Sequence, residues 1–249
     1  TLKNTVKAIE TGKASVKSMV LHSLASAEST LTGDERELGV VLADIGGGTT
    51  DIVIYRQGQP WSSAVIPVGG SQLTKDLSVA LKTPLYMTEE MKIKWGSVMP
   101  ETIPADEEVV IPSFQGQPKH SLSRRILCDP LNARMMELIK LIVLKVRQSG
   151  LREFPTGGIV LTGGGAEMTG LTDLVQKTLG GQVRIAFPEG IAGLPAQLRK
   201  PAFSAAVGLL LWGIKHQGET RSSMNGGQSI MGNKSWRWGL GRKKAATLR

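Results

Sequence analysis

Apolar and polar residues follow strand periodicity in the first third of the chain. Two apolar runs, residues 38–44 and 52–55, flank the glycine turn 46–48, and this arrangement predicts two strands joined as a hairpin. A third strand near residues 62–68 would complete an antiparallel meander. The pattern therefore predicts a small sheet whose first turn is rich in glycine.

The segments on either side of this meander carry helix and strand signals. Upstream, the pattern favours a helix that runs into a turn over residues 6–17 and a helix over residues 25–32, whereas the short apolar run 16–21 is typical of a strand. Downstream, from residue 70 to about residue 148, several prolines interrupt short elements, as expected of an inserted subdomain. A helix over residues 131–146 would close that subdomain.

A second glycine-rich turn follows this region. A buried strand over residues 158–162 leads into the glycine loop 163–165 and a helix over residues 170–179. A last apolar helix is expected over residues 202–212, and residues 217–232 are polar and rich in Gly and Ser, as in flexible linkers. The order strand, glycine loop, helix is typical of phosphate or nucleotide binding.

Basic residues are concentrated at the C-terminus. The chain has 30 Lys or Arg and 21 Asp or Glu, and seven of the basic residues but none of the acidic ones lie in residues 221–249. The formal charge of +9 therefore divides into +2 for the first 220 residues and +7 for the tail. This division predicts a near-neutral domain with a basic appendage.

The sequence also argues against a disulfide-linked protein, a membrane-spanning protein and a secreted precursor. The only cysteine, Cys128, excludes an internal disulfide and fits a reducing compartment. The longest uninterrupted apolar stretch, residues 205–211, is far shorter than the roughly 18 residues that a membrane-spanning helix requires. Because the chain begins at Thr1 and lacks a signal-peptide pattern, we expect an internal fragment rather than a secreted precursor.

The first glycine turn carries the strongest chemical signal. Its two acids, three glycines and two threonines are Asp44, Gly46, Gly47, Gly48, Thr49, Thr50 and Asp51. Consecutive glycines at a hairpin tip let backbone N–H groups approach phosphate oxygens, and threonine hydroxyls can add donors. Asp44, at the end of a strand, is placed to hold the water shell of a Mg²⁺ ion. An ordinary glycine hairpin with acidic ends is the alternative.

This motif is similar to the second phosphate loop of the superfamily of actin, MreB and the heat-shock chaperones. The adenosine motif of that superfamily is resembled by residues 161–166, and the resemblance implies nucleotide contacts for Gly163, Gly164, Gly165 and Ala166. The spacing between the two motifs leaves room for the inserted subdomain. A triple glycine taken alone would also fit a tight turn from strand to helix, whereas the pair of motifs favours a nucleotide site.

Residues 88–94 resemble the Glu-x-x-Lys helix that contacts the nucleoside in these proteins. The Glu89 carboxylate could accept hydrogen bonds from both ribose hydroxyls. Lys92, three residues further on the same helical face, could reach the nucleotide. A solvated, charged helix is the alternative.

The chain resembles one family within this superfamily, the bacterial cell-division proteins FtsA. Residues 24–39, 65–70 and 204–209 carry the resemblance, which extends from residue 6 to about residue 212. It implies an α/β fold, namely the second lobe of an actin-like ATPase (ribonuclease H-like) with an inserted α+β subdomain. This lobe would bind ATP and Mg²⁺ in a cleft that it forms with a first lobe.

The resemblance also implies a division of the chain into five parts. These are the first part of the nucleotide-binding lobe (1–70), the inserted subdomain (71–150), the second part of the lobe (151–216), a flexible linker (217–232) and a basic amphipathic membrane-targeting tail (233–249). The first lobe of such a protein is missing from this sequence. The chain alone would therefore hold only half of a nucleotide site.

One departure from the family concerns hydrolysis. Many relatives carry Glu-Pro where this chain has His22 and Ser23, and the acid helps to position the attacking water. A neutral imidazole could orient water, although a structural role for His22 is the alternative. We therefore assign no catalytic residue and expect at most a weak ATPase, in which the nucleotide acts as a switch.

The tail predicts membrane contact. Its aromatic, apolar and basic candidates are Trp236, Arg237, Trp238, Leu240, Arg242, Lys243 and Lys244. Trp and Leu can enter the headgroup boundary while Arg and Lys meet anionic lipid, each basic residue contributing about 1 kcal/mol near the surface. A basic end without a partner and a nucleic-acid contact are the alternatives. We favour lipid and expect no nucleic-acid partner.

Together these features predict a cytoskeletal membrane adaptor. The resemblance implies self-association into filaments, binding to the C-terminal peptide of FtsZ and recruitment of later division proteins, at the cytoplasmic side of the bacterial membrane at the division site. An ATP-hydrolysing chaperone or small-molecule kinase of the same fold, or an adaptor of pilus assembly similar to PilM, is the alternative.

Overall fold

A mixed β-sheet lies at the centre of the fold. The computed structural model describes residues 2–111 and 120–216. Its strands are β1 (Val40–Ile45), β2 (Thr50–Arg56), β3 (Gln59–Ile66), β4 (Glu108–Ile111), β5 (His120–Ser123), β6 (Ile159–Thr162) and β7 (Val183–Ile185). Five of them form one sheet in the order β3-β2-β1-β6-β7, while β4 and β5 pair as a separate hairpin.

Helices lie on the sheet and in the segment inserted after β3, whereas the first helix of the chain has no buried residue. They are α1 (Leu2–Thr11), α2 (His22–Thr30), α3 (Gly33–Leu38), α4 (Gly70–Leu81), α5 (Leu85–Trp95), α6 (Arg124–Gln148), α7 (Leu171–Leu179) and α8 (Ser204–Lys215). The residues at the start of α3 show how the local sequence determines where a helix begins. Thr32 accepts a hydrogen bond from the Glu35 amide, and Glu35 accepts one from the Thr32 amide, which satisfies donors that the first turn leaves open.

The predicted antiparallel meander is confirmed. β1 pairs antiparallel with β2, and β2 pairs antiparallel with β3. All six residues of β1 are buried, because the two faces of the sheet contribute to different apolar clusters. Val41 and Ala43 belong to one cluster, whereas Val40 and Leu42 belong to the other. A strand that is covered on both faces has a continuous apolar sequence, and β1 has such a sequence.

The parallel pairing of β1 with β6 brings the two glycine turns together. Asp44 on β1 is opposite Thr162 on β6, so both strands end at the same edge of the sheet. The turns that follow them, residues 46–49 and 163–165, are therefore neighbours although more than a hundred residues separate them along the chain. The predicted strand over residues 158–162 and the helix after it are confirmed as β6 and α7.

Of two predictions near the N-terminus, one differs from the structure and the other agrees with it in part. Residues 16–21 form no strand, although the run is apolar, because no neighbouring strand in the described part of the chain offers them backbone hydrogen bonds. The helix that was expected to run into a turn within residues 6–17 begins earlier, at Leu2, and ends at Thr11. Gly12 and Lys13 form the turn, and Lys13 adopts a positive φ of 61°.

The inserted segment consists of α4, α5, the β4–β5 hairpin and α6. Helix α6 begins at Arg124, before the predicted start at residue 131, and continues through Pro130. Cys128 is buried and accepts a hydrogen bond from the Ser97 amide. In residues 2–111 and 120–216, no helix is both long enough and apolar enough to cross a membrane. The five domain limits given above stay predictions.

Candidate functional site

The first glycine turn is tight at its base and open at its tip. The Gly46 amide donates to the Thr49 carbonyl oxygen at 2.9 Å, which closes the turn between β1 and β2. A methyl group added to Gly47 or Gly48 would meet no atom within 4 Å. The tip therefore presents backbone to open space, as a phosphate-binding turn requires.

The first turn of α4 lies against this loop, which the sequence did not predict. The Gly70 amide donates to the Gly46 carbonyl oxygen at 2.9 Å, and the Ser71 amide donates to the Gly47 carbonyl oxygen at 2.7 Å. A Cβ atom on Gly69 would lie 2.6 Å from the Gly46 oxygen, so only glycine allows this approach. The pair Gly69-Gly70 was visible in the sequence, but its partner in the fold was not.

Two carboxylates meet at the base of the loop. Asp44 and Asp51 are opposite each other across β1 and β2. Asp44 is buried and accepts a hydrogen bond of 2.5 Å from the Ser26 hydroxyl, one turn into α2. The Nδ1 atom of His22 lies 3.6 Å from Asp44 and 3.5 Å from Asp51, and the imidazole is half-exposed. The sequence left the role of His22 open, and the structure brings it to the acids.

The pKa of Asp44 is raised above its ordinary value. Burial is the main cause, and the nearby Asp51 carboxylate acts in the same direction. The Ser26 hydrogen bond and the His22 imidazole oppose them but do not outweigh the burial. A buried acid with a raised pKa gains from a bound cation, so the position suits the ion that would accompany a phosphate ligand.

The threonines of the motif differ in their surroundings. Thr49 is exposed and donates to the Asp51 carboxylate at 3.2 Å. Thr50 is fully buried, and its hydroxyl donates to the Val68 carbonyl oxygen at 2.8 Å. Its hydroxyl is therefore engaged in holding the end of β3 beside β2, and Thr50 could meet a ligand only through its backbone.

The second glycine turn packs against the end of β1. Gly163 has a φ of +83°, and a Cβ atom there would overlap the Asp44 carboxylate and the Ile45 carbonyl oxygen. A Cβ atom on Gly165 would overlap the Ile45 side chain. Gly164 lines the cavity described below, while Ala166 is fully buried in the core. Two of the three glycines are therefore required by packing.

Helix α5 contributes the pair Glu89 and Lys92. Glu89 is partly exposed, with 46% of its side chain accessible, whereas Lys92 is buried. Burial raises the pKa of Glu89, but hydrogen bonds from Lys92 and Thr74 and the charge of Lys92 outweigh it and hold the pKa below its ordinary value. Glu89 is therefore ionised at neutral pH and able to accept hydrogen bonds.

A cavity of about 530 Å³ joins these parts. Of the predicted residues, those that line it are Gly46, Gly47, Glu89, Lys92, Gly164 and Gly165. Asp44, Gly48, Thr49, Thr50, Asp51, Gly163 and Ala166 are not among its lining residues. Sequence reasoning missed the wall of Gly70, Ser71, Ile93, Glu167 and Met168. Backbone donors at one end and apolar side chains at the other suit an anionic ligand with a flat apolar group.

The candidate membrane residues Trp236, Arg237, Trp238, Leu240, Arg242, Lys243 and Lys244 lie outside the described residues, and so does the predicted linker. Within residues 2–111 and 120–216, no group of three or more His, Cys, Asp or Glu side chains is arranged to hold a metal ion on its own. Any cation at Asp44 would therefore need ligand oxygens or water as further partners.

The sheet order, the inserted segment and the two paired glycine turns define one lobe of an actin-like ATPase fold. Solved structures agree with this class at the level of the fold. MreB5 of Spiroplasma citri bound to ADP has a TM-score of 0.65 and 16% identity, over 90% of this chain and 67% of that one. The MamK double helical filament has a TM-score of 0.63 and 17% identity, over 86% of this chain and 65% of that one.

Sequence comparison identifies the family within this class. The profile described as "Cell division protein FtsA" matches residues 41–208. FtsA of Pseudomonas aeruginosa is 40% identical over 214 residues, which cover 86% of this chain and 51% of the relative. The chain therefore belongs to the FtsA family of cell-division proteins. It spans about half the length of the curated relatives it matches.

Proposed function

We propose that this chain supplies the second nucleotide-binding lobe of an actin-like ATP-binding protein of cell division. The observation that carries the proposal is the single cavity that joins both glycine turns to Glu89. Family membership supports the link to division. The solved MreB5 structure, which is bound to ADP, supports a nucleotide as the ligand of this fold.

The parts of the cavity suit the parts of ATP. The backbone at Gly47, which lines the cavity, would face phosphate oxygens, with Gly48 next to it at the open tip of the turn. Glu89 would accept hydrogen bonds from ribose hydroxyls. Gly164 and Gly165 allow the purine to approach the backbone, beside the apolar side chain of Met168. The ligand would thereby be bound through the shape of the cavity and through backbone N–H donors to its phosphates, rather than through free basic side chains.

Asp44 is the residue of this chain that would hold Mg²⁺, with Asp51 beside it. The two residues are opposite each other across β1 and β2, and their carboxylates would supply the hard oxygen ligands that this ion prefers. Mg²⁺ would neutralise phosphate charge. Because Mg²⁺ keeps several waters in proteins, two adjacent carboxylates are sufficient for an outer-shell role.

Hydrolysis is proposed to be weak. The half-exposed imidazole of His22, whose Nδ1 atom lies 3.6 Å from Asp44 and 3.5 Å from Asp51, stands where an acid is expected and could orient a water molecule. Phosphoryl transfer also depends on positioning from both sides of the phosphates, and this chain supplies one side. The nucleotide then acts as a switch between an open and a closed state of the protein. A ligand shifts such an equilibrium only to the extent that it binds one of the two states more tightly than the other.

The wider role is that of an adaptor at the inner face of the bacterial membrane. We propose that the full protein self-associates, anchors the FtsZ ring through the C-terminal peptide of FtsZ and recruits later division proteins. The MamK filament, a structure of the same fold, supports self-association. Family membership favours this role over a chaperone or a small-molecule kinase. Binding of the FtsZ peptide would separate it from an adaptor of pilus assembly.

Calorimetric titration of the 249-residue chain with Mg-ATP tests the nucleotide site. The Gly47→Val side chain meets no protein atom within 4 Å of its Cβ position, so it should fill only the space meant for phosphate. Gly33→Val is a matched control, because Gly33 has equally open surroundings away from the cavity. We expect wild type and Gly33→Val to bind and Gly47→Val to lose at least tenfold in affinity, about 1.4 kcal/mol. Equal affinity in all three would contradict the proposed site.

Co-sedimentation with vesicles tests the anchor. The intact chain and a version that ends at His216 are each mixed with anionic and with neutral liposomes. Binding that requires anionic lipid and disappears on truncation is expected, because residues 221–249 carry seven basic and no acidic side chains. Equal pelleting of both versions would contradict a membrane-binding tail.

A further inference from the structure

Lys92 lies between the two ends of the candidate site with its charge fully engaged. Only 8% of the residue is exposed. Its ammonium donates to the Gly70 carbonyl oxygen at 3.2 Å, to the Thr74 hydroxyl at 2.9 Å and to the Glu89 carboxylate at 2.7 Å. An ammonium has three N–H donors, so these three acceptors use all of them. Lys92 therefore has no donor left for a ligand in this arrangement.

Gly70 connects this buried cation to the first glycine turn. Its carbonyl oxygen accepts from Lys92, and its amide donates to the Gly46 carbonyl oxygen. The next amide, that of Ser71, donates to the Gly47 carbonyl oxygen. A continuous chain of hydrogen bonds thus runs from the turn that faces phosphate, through the start of α4, to a side chain on α5.

The same cation fixes one oxygen of Glu89 and leaves the other open. Both Lys92 and the Thr74 hydroxyl contact Oε2 of Glu89. Within the described residues, no hydrogen bond to Oε1 is formed. Glu89 lines the cavity, so Oε1 is the oxygen that can accept from a ligand hydroxyl.

We propose that Lys92 is a positioning residue rather than a nucleotide contact: it orients Glu89 toward the ligand's hydroxyl groups and ties that carboxylate to the glycine turn that faces phosphate. This inference rests on the proposed function. Its consequence is that the hydroxyl-binding and phosphate-binding ends of the cavity form one unit. Loss of the ammonium should loosen both ends together, although they remain joined through the Thr74 hydroxyl, which lies 3.0 Å from the Gly70 carbonyl oxygen and also contacts Glu89.

Hydrogen exchange of the nucleotide-free chain tests the connection to the turn. Lys92→Met removes the three hydrogen bonds and keeps the length of the side chain. Lys94→Met is the matched control on the same helix, because the exposed Lys94 stacks over the ring of Trp95 and takes no part in the network. We expect faster exchange over residues 46–50 and 70–74 in Lys92→Met and unchanged exchange in Lys94→Met. Unchanged exchange in both variants would overturn the connection.

Nucleotide selectivity tests the role of Glu89. We expect the wild-type chain to prefer Mg-ATP to Mg-2′-deoxy-ATP, and Lys92→Met to weaken that preference roughly three- to tenfold, the effect of about one hydrogen bond. Thr74→Val, which keeps the charge of Lys92, should cause a smaller loss in the same direction. An unchanged preference in Lys92→Met, with weaker ATP binding but normal exchange of the free chain, would make Lys92 a direct contact and overturn the proposal.

Failure of the proposed function has a different signature. If wild type binds neither nucleotide, then the nucleotide site and the role of Glu89 in it are both wrong. The exchange experiment needs no ligand, and it still decides whether Lys92 holds the glycine turn through Gly70. If Lys92→Met does not fold, Lys92→Gln takes its place in both experiments, since the amide keeps a polar group at the buried position but is too short, and has too few N–H donors, to serve all three acceptors.

Discussion

The two walls of the candidate site are held in place by different physical means. The sheet wall, which we define as residues 44–50 and 163–166, is fixed by strand pairing and by close packing at glycine. The helical wall, which we define as residues 69–74 and 89–92, is held by a buried cation and its three acceptors. The sheet wall should therefore respond most to added volume and the helical wall most to lost charge.

The largest expected effect is on the sheet wall. Gly163→Ala forces a Cβ atom into the Asp44 carboxylate and the Ile45 carbonyl oxygen at a backbone conformation that favours glycine. We expect a loss of about 2–4 kcal/mol in the free energy of unfolding, or no folded protein. Gly164→Ala is the control, because its Cβ would lie 3.7 Å from its nearest neighbour, Ala202. Urea denaturation of both variants measures the difference, and equal stability would contradict the packing argument.

A smaller effect is expected from charge loss on the helical wall. Glu89→Gln leaves the Lys92 ammonium buried without an ionic partner. We expect a loss of about 1 kcal/mol in unfolding free energy, less than for a fully buried pair because nearly half of the Glu89 side chain meets solvent. The neighbouring Glu90→Gln serves as the control on an exposed position. If both variants unfold at the same urea concentration, the helical wall does not depend on this charge.

The pH dependence of the Glu89→Gln effect sharpens the same comparison. The pKa of Glu89 is lowered in the folded state, so its ionised form adds stability above its ordinary pKa of 4.5, and this stability is lost as the pH falls through the folded value. The stability difference between wild type and Glu89→Gln should therefore be present at pH 7 and shrink below about pH 4.5. A difference that grows on acidification would have the wrong sign.

The smallest effect is expected at Asp44, with the opposite sign. Its pKa is raised by burial, so the ionised side chain costs stability as the pH rises above its ordinary value. In buffer free of divalent cations, Asp44→Asn should stabilise the fold at pH 7 by up to about 1 kcal/mol, as is common when a functional residue is neutralised. This gain should vanish in acid. A loss of stability at pH 7 would show that Asp44 contributes to folding rather than to ligand binding.

Local patterns made most of the sheet wall predictable from sequence. The two apolar runs that flank residues 46–48 predicted the β1–β2 hairpin, and the two glycine motifs predicted turns that line the cavity in part. The resemblance implied nucleotide contacts for both motifs, whereas the parallel register of Asp44 with Thr162, which makes the two turns neighbours, came from the structure. The same local reasoning was wrong for residues 16–21, because an apolar run becomes a strand only where a neighbouring strand is available.

The helical wall was predicted in part. The spacing of Glu89 and Lys92 placed them on one helical face, but the acceptors that occupy Lys92 come from Gly70 and Thr74, on another helix. Contacts between distant segments leave no periodic signal in a single sequence. The approach of Ser71 to the glycine turn and of His22 to Asp44 and Asp51 depended on tertiary packing in the same way.

Hydrogen exchange of the 249-residue chain with and without Mg-ATP tests the central claim most directly, because it follows both walls in one experiment. We expect the nucleotide to slow exchange over residues 46–50 and 163–166 of the sheet wall and over residues 69–74 and 89–92 of the helical wall together. Protection confined to one wall, or no protection at a saturating nucleotide concentration, would contradict the claim that the two walls form a single nucleotide site.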